Sequence, residues 1–190
     1  MDRYRWNILG LCQRRWKKFA QTTTEEGHKV FFSRKEDKHE HGVGFFVHKD
    51  IVNAVMRCRP VSSRLVTIRL GAVPFTITIV QEYAPTSDYD DNEIEEFCDQ
   101  LQNTSDQTPK KDIHVVRGGW NAQVDKDARE NWQGHCAPFC NDTNKRGLRL
   151  LEFATFNDLV LANTFGHHNA FRRWSCIAQM DNTTTKMITF

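Results

Sequence analysis

Two β-branched segments separated by a short turn constrain the fold of this sequence more than any other feature. Leu65–Leu70 and residues 75–80 alternate apolar with polar side chains, and residues 71–74, which include Gly and Pro, lie between them. Alternation with a period of two is typical of a strand with one buried face, and a short turn of this kind predicts a hairpin. The chain is therefore expected to contain an antiparallel sheet.

Further segments extend this pattern into a layered domain. Strands are predicted at residues 6–12, 29–32, 42–47, 113–116 and 159–162, and apolar residues at helical spacing predict helices at 90–101 and 144–156. Several strands are apolar on both faces, so we expect helices to cover the sheets. The sequence predicts a mixed α/β fold.

Composition excludes several classes of protein. A length of 190 residues suits one domain, and 39% hydrophobic residues exclude wholesale disorder. No apolar run approaches the roughly 20 residues that span a bilayer, and no signal-peptide stretch follows Met1. The six cysteines are expected to be free thiols in a reducing compartment. We predict an intracellular protein, nuclear or cytoplasmic, that is not secreted and has no membrane partner.

The formal net charge of +2 hides an uneven distribution. Basic residues crowd residues 3–18, and acidic residues crowd residues 88–99. A basic end is suited to contact with a polyanion, but solvated charge around a short strand explains it equally well.

Four segments carry polar groups near predicted strand or helix ends. Gly118-Gly119-Trp120-Asn121 follows one strand, and Glu82-Tyr83-Ala84-Pro85-Thr86 follows another. Residues 9–16 and 144–154 complete the set. Polar side chains just beyond a strand commonly handle a ligand.

In this order the four segments resemble the endonuclease/exonuclease/phosphatase superfamily, and most closely the apurinic-type endonuclease domain of RTE-type non-LTR retrotransposons, which also has a protein-coding relative. The resemblance covers residues 4–174. It implies a four-layer α/β sandwich, with two packed, mostly antiparallel sheets and outer helices. It also implies Mg²⁺-dependent phosphodiester hydrolysis of DNA, in which carboxylates hold the metal, an Asp activates water, and an Asn and a His bind the phosphate.

The sequence departs from this pattern where the chemistry lies. Gln13 stands where the resemblance implies a metal-binding Glu, and Gly119 stands where it implies the water-activating Asp. Tyr83 matches the implied active-site Tyr, and Asn121 matches the implied phosphate-binding Asn. Two structural alternatives stay open, since Tyr83 is also suited to packing and Asn121 to a hydrogen bond within its turn.

Both ends of the chain depart from the pattern as well. The implied opening strand would precede residue 1, so we expect a domain truncated at both ends. Residues 176–190 match none of the implied C-terminal segments, whereas a one-base shift of the reading frame is compatible with them. We therefore assign residues 1–175 to a partial domain and 176–190 to an out-of-frame tail, with a chance fit as the alternative.

These observations predict a retrotransposon-derived DNA endonuclease-like domain that is catalytically impaired or inactive. Whether the chain is an enzyme stays open, Mg²⁺ binding is expected to be weak or absent, and DNA is the expected partner. No small-molecule cofactor is expected, and the oligomeric state is not indicated. The alternatives are a non-enzymatic module that binds nucleic acid or protein, and a chain whose missing strands prevent stable folding.

Overall fold

The computed structural model describes residues 6–12, 20–33, 42–86, 89–122, 124 and 144–162. The chain divides into two compact units. The first comprises Met1–Tyr83 with Glu95–Gly118, and the second comprises Ala84–Ile94 with Gly119–Phe190.

The first unit contains a four-stranded sheet formed by the N-terminal part of the chain. Its strands are β1 (Ile8–Leu11), β2 (Ala20–Thr23), β3 (Lys29–Ser33) and β4 (Val43–Val47). They are ordered β1-β4-β3-β2, and every neighbouring pair is antiparallel. A 3₁₀ helix, Lys49–Ala54, leads out of β4 toward the second sheet.

The second sheet is ordered β5-β6-β7-β8. Its strands are β5 (Val55–Pro60), β6 (Leu65–Leu70), β7 (Ile77–Tyr83) and β8 (Ile113–Gly119). The predicted hairpin is confirmed, because β6 and β7 pair antiparallel with Leu70 opposite Ile77. Helix α1 (Asp91–Asp106) connects β7 to β8.

The inner faces of the two sheets pack together to form the core. Phe31 and Phe45 from the first sheet belong to the same buried cluster as Val66 and Ile68 from the second. The alternation of β6 explains this arrangement, because Val66 and Ile68 point inward while Thr67 and Arg69 point outward. The predicted α/β fold with two packed, mostly antiparallel sheets is therefore confirmed.

Helix α1 has one buried face. Phe97, Leu101, Thr104 and Ser105 are its buried residues, and they recur at helical spacing. In the second unit, helix α2 (Lys145–Phe156) begins after Asn144, whose side-chain oxygen accepts a hydrogen bond from Gly147 N at 2.8 Å. Neither helix of the described residues has the length and apolar character needed to span a membrane.

Three local predictions need correction. Strands β2 and β5 were not predicted, although both pair within the sheets. The strand predicted at 159–162 is wrong, because these residues have no strand partner within the described part of the chain. Leu159 N instead donates a hydrogen bond to Ala154 O at 2.7 Å, and Val160 is 52% exposed. The segment therefore closes the end of α2.

The predicted thiol state is tested at three of the six cysteines. Cys12, Cys58 and Cys98 form no disulfide. The remaining cysteines, together with the tail at 176–190, lie outside the described residues.

Candidate functional site

A buried polar cluster joins the two sheets of the first unit near the end of β1. Gly10 faces the Gln81 side chain, and a Cβ at position 10 would lie 1.7 Å from Gln81 Oε1 and 3.0 Å from Arg117 Nε. The missing side chain of Gly10 therefore makes room for Gln81 from the opposite sheet. Gln81 Nε2 donates hydrogen bonds to Cys12 Sγ at 2.9 Å and to Glu82 O at 3.3 Å.

Arg117 brings a cationic group to this cluster. Burial lowers the pKa of its guanidinium, and Cys12 acts in the opposite direction with a smaller effect. Within the described residues, Arg117 Nε and Gln81 Oε1 are buried without a hydrogen-bond partner. Neither Gln81 nor Arg117 was predicted as a site residue, because each lies within a strand and only the pairing of β7 with β8 in the second sheet brings them together.

Tyr83, which the resemblance implies is an active-site residue, ends β7 and is 3% exposed. Its N–H donates to Arg64 O at 3.0 Å, and Arg64 Nη1 donates to Tyr83 O at 3.3 Å. The Arg64 guanidinium carbon lies 6.0 Å from the centre of the Tyr83 ring. Tyr83 is therefore part of the core cluster, and its backbone is held by Arg64, the residue that precedes β6.

Gly118 is fixed by the backbone of β7. Its φ is 149°, and a Cβ at this position would lie 1.9 Å from Glu82 O and 2.6 Å from Glu82 Oε1. Only glycine tolerates both the dihedral angle and the contact. The carboxylate of Glu82 is fully buried beside this glycine and was not predicted as a site residue.

Gly119, the second glycine of the pair, ends β8 and belongs to the second unit. Its carbonyl oxygen accepts a hydrogen bond from Ala84 N at 3.0 Å. Gly118 has a positive φ but Gly119 does not, so a side chain at position 119 would meet no dihedral restriction. In this chain the position carries no group that accepts a proton.

Asn121 turns the chain just after β8. Its φ of 49° lies in the left-handed region, which Asn adopts more readily than most residues. Its Nδ2 donates a hydrogen bond to Ala84 O at 2.9 Å. The side chain thus makes a hydrogen bond that shapes the loop. The second Nδ2 hydrogen and the Oδ1 oxygen make no other hydrogen bond within the described residues.

Arg146, in the first turn of α2, holds the same loop from the other side. Its two terminal nitrogens donate to the carbonyl oxygens of Pro85 and Thr86. The planar guanidinium thereby satisfies two loop carbonyls that are 60 residues or more away in sequence.

Aromatic packing places the Gly119-Trp120-Asn121 segment against α2. Trp120 is buried, and its ring centre lies 5.5 Å from that of Phe153 at an interplanar angle of 44°. Leu150, Leu151 and Ala154 on α2 are also buried. The second unit therefore supports Asn121 on a packed segment, as a binding residue requires.

The described residues do not fit the Mg²⁺ site that the resemblance implies. Mg²⁺ prefers carboxylate and water oxygens. Within the described residues, no three His, Cys, Asp or Glu side chains converge on a point suited to a metal ion. Gly119 offers no ligand, and Gln13 lies outside the described residues. No catalytic step through Mg²⁺ follows from this arrangement.

Comparison with known proteins identifies relatives that are similar to this chain in sequence. No protein-family model matches the chain. Craniofacial development protein 2 from Tragulus javanicus is 30% identical over 164 residues, covering 86% of this chain and 28% of that protein. The Bos taurus protein of the same name is also 30% identical over 164 residues, covering 86% and 27%. The chain thus spans less than a third of the length of these relatives.

A solved structure was also found. The endonuclease domain of TRAS1, a telomere-specific non-LTR retrotransposon, matches with a TM-score of 0.47 and 19% identity, over 68% of this chain and 52% of that chain. The chain is thus homologous, over most of its length, to craniofacial development protein 2, and it has an α/β fold in which two four-stranded sheets pack together.

Proposed function

We propose that the chain is a retrotransposon-derived DNA endonuclease-like domain whose phosphodiester hydrolysis is impaired or lost. The observation that carries this proposal is Gly119, which ends β8 at the position of the implied water-activating Asp. A hydrogen atom in place of a carboxylate accepts no proton from the attacking water. A general base contributes about 10²–10⁴-fold to a rate, so its loss alone lowers the rate of cleavage by that order.

The change at position 13 acts in the same direction. Gln keeps one carbonyl oxygen but loses the negative charge of the implied Glu, and Mg²⁺ binds carboxylates in preference to amides. Weaker metal binding removes charge stabilisation from the transition state. The two changes together account for an inactive copy of an active ancestral domain.

A nicking assay tests this proposal. The full chain is incubated with supercoiled plasmid and Mg²⁺, with and without EDTA, and nicked circles are quantified. We expect no chelator-sensitive nicking, and clear chelator-sensitive nicking would overturn the proposal. The double variant Gln13→Glu, Gly119→Asp should also stay inactive, because residues 176–190 lack the implied C-terminal Asp and His. Strong nicking by this variant would show that those C-terminal groups are dispensable.

The second candidate function is a module that binds nucleic acid without cutting it. Asn121 favours this function, because within the described residues its amide makes only the hydrogen bond to Ala84 O and keeps further donor and acceptor capacity. Fluorescence anisotropy with labelled duplex DNA tests it. Binding that weakens steeply with added salt is expected, as for any protein that contacts phosphates. Absence of binding at low salt contradicts it.

We also propose that residues 176–190 are an out-of-frame tail. The support is the fit of the implied C-terminal pattern to the neighbouring reading frame. The coding DNA around Trp174 decides the matter. If its codons do not give that pattern in the shifted frame, the assignment of this tail is wrong.

A further inference from the structure

The outer face of the second sheet carries an arginine-lined groove of about 440 Å³. Its walls come from β5, β6, β7 and the segment that follows α1. The polar residues that line it include Arg57, Arg59, Thr67, Arg69, Thr78 and Thr108. The groove lies wholly within the first unit. Its volume falls in the range of about 300–1,000 Å³ that is typical of small-molecule sites.

The strand register explains why these side chains share one face. Arg57 lies opposite Arg69, and Arg59 lies opposite Thr67. On β5, Arg57 and Arg59 are two residues apart, so both point outward at a spacing of roughly 7 Å. One phosphate group is able to contact two arginines at this spacing.

The three arginines have different partners. Arg69 donates two hydrogen bonds to Asp112, so its charge is neutralised within the fold. Arg59 Nη2 donates to Gln107 Oε1 at 2.7 Å, just beyond the end of α1. Arg57 is exposed and makes no hydrogen bond or ion pair within the described residues. The groove therefore keeps the positive charges of Arg57 and Arg59 without a carboxylate partner among the described residues.

The fold itself explains the position of Arg59 but not that of Arg57. Helix α1 has no basic residue in its last turn, so Arg59 supplies a cation near the negative end of the helix dipole. Arg57 has no comparable role among the described residues, and Asp112, the carboxylate next to the opposite residue, is already bound by Arg69. The exposed charge of Arg57 is therefore available to a ligand of opposite charge.

We propose that this groove binds a phosphorylated small molecule of about mononucleotide size, with its phosphate held by Arg57 and Arg59. The hydroxyls of Thr67, Thr78 and Thr108 already donate to Arg59 O, Asp112 Oδ2 and Thr104 O, so toward the ligand they act only as acceptors of hydrogen bonds from sugar hydroxyls. The remaining volume holds an uncharged portion of the ligand against Met56 and Pro109, which also line the groove. This proposal does not depend on the nuclease-like function, because none of the groove residues belongs to the motifs that carry that function.

Isothermal titration of the full chain with 5′-AMP at low salt tests the proposal, with adenosine and inorganic phosphate as matched probes. We expect AMP to bind more tightly than either probe. Arg57→Gln should weaken AMP binding at least about fivefold, because a charge-assisted hydrogen bond is lost. Lys49→Gln removes the same charge from an exposed residue that does not line the groove, and should leave the Kd unchanged.

A second pair of variants separates the effect of the Arg59 charge from the effect of its hydrogen bond to Gln107. Arg59→Gln removes both the charge and the bond to Gln107, whereas Gln107→Ala removes the bond alone. We expect only Arg59→Gln to weaken AMP binding, with both variants folded by circular dichroism. Equal affinity for AMP and adenosine, or an unchanged Kd in Arg57→Gln, would overturn the proposal. If inorganic phosphate binds with the same affinity as AMP, the proposal of a ligand of mononucleotide size would be overturned.

Discussion

Arg69 donates two hydrogen bonds to Asp112, from Nε to Oδ2 at 2.7 Å and from Nη2 to Oδ1 at 2.9 Å. Thr78 Oγ1 donates a third bond to Oδ2 at 2.7 Å. These contacts join β6, β7 and the residue that precedes β8. They give the carboxylate of Asp112, whose side chain is fully shielded from solvent, a complete set of donors.

This triad predicts a pH dependence of stability. The hydrogen bond from Arg69, with those from Thr78 and the nearby positive charges, holds the pKa of Asp112 below its usual value of 3.8 in spite of its burial. A depressed pKa in the folded state means that the stabilisation is complete above the unfolded pKa and is lost as pH falls through the folded pKa. Wild-type protein should therefore lose stability below about pH 4.

The variant Asp112→Asn isolates this effect. It should lower the melting temperature by several degrees at pH 7, because Arg69 loses its ionic partner, and the difference from wild type should shrink toward pH 2. Thermal melts across this pH range measure it. Asp99→Asn, at an exposed position on α1, is the charge-matched control and should melt like wild type.

The two adjacent glycines at the end of β8 should respond differently to substitution. Gly118→Ala places a Cβ against Glu82 O at an unfavourable φ, so it should lower the free energy of unfolding by at least about 2 kcal/mol. Gly119 is also buried but has no positive φ, so Gly119→Ala adds no dihedral strain and should destabilise the protein less than Gly118→Ala. Urea denaturation of both variants checks this, and equal losses would contradict the assignment of Gly118 as the conformationally fixed residue.

Asn121 offers a test of backbone strain. Asn121→Gly and Asn121→Ala both lose the hydrogen bond to Ala84 O, but only alanine pays for the φ of 49°. The alanine variant should therefore be less stable than the glycine variant by about 1 kcal/mol. Chemical denaturation gives the comparison. An alanine variant as stable as the glycine variant would show that the turn relaxes.

Arg146 should control the order of the loop after β7. Arg146→Lys keeps the charge but replaces the planar fork with a single ammonium group, which is poorly suited to two separate carbonyls. We expect faster hydrogen exchange at the Ala84 amide, which bonds to Gly119 O in the same loop. Lys145→Gln, at the exposed neighbouring position, should leave the exchange rate unchanged.

Cys58 should be chemically inert in the folded protein. Burial raises the pKa of its thiol to about 12, so about one molecule in 10⁴ carries a thiolate at pH 8. Iodoacetamide followed by peptide mapping should leave Cys58 unmodified in buffer and modify it in guanidinium chloride. Equal modification under both conditions would show that β5 opens readily.

The sequence predicts a strand or helix correctly where apolar and polar residues alternate with a regular period, and it fails where that period is broken or absent. The β6–β7 hairpin was predictable because its alternation is regular and its turn is short. Strand β5 was not, because a bulge between Val55 and Arg57 breaks the alternation and its outward residues are arginines. Strand β2 is mostly polar. The apolar residues at 159–162 suggested a strand, but only their fold context shows that they close a helix.

The candidate site likewise contains residues that a local sequence motif predicts and residues that only the folded structure reveals. Motif order predicts Gly119 and Asn121 as site residues, and the structure places Gly119 at the end of β8 and Asn121 in the turn that follows. The pairing of Arg146 with the loop carbonyls depends on contacts distant in sequence, which no local pattern reveals. The buried position of Glu82 is likewise invisible in the sequence, where it looks like one more charged residue at the end of a strand.

The pair Gly118-Gly119 also affects which substitutions such a domain can accumulate. Selection for a folded protein acts on Gly118, because any other residue there disrupts the contact between β7 and β8. Position 119 is also buried, but its φ is not positive, so a side chain there meets no dihedral strain and is limited by packing alone. If position 119 once carried the catalytic acid that we propose, its replacement by glycine added no dihedral strain, and the two-sheet architecture stayed available for another use.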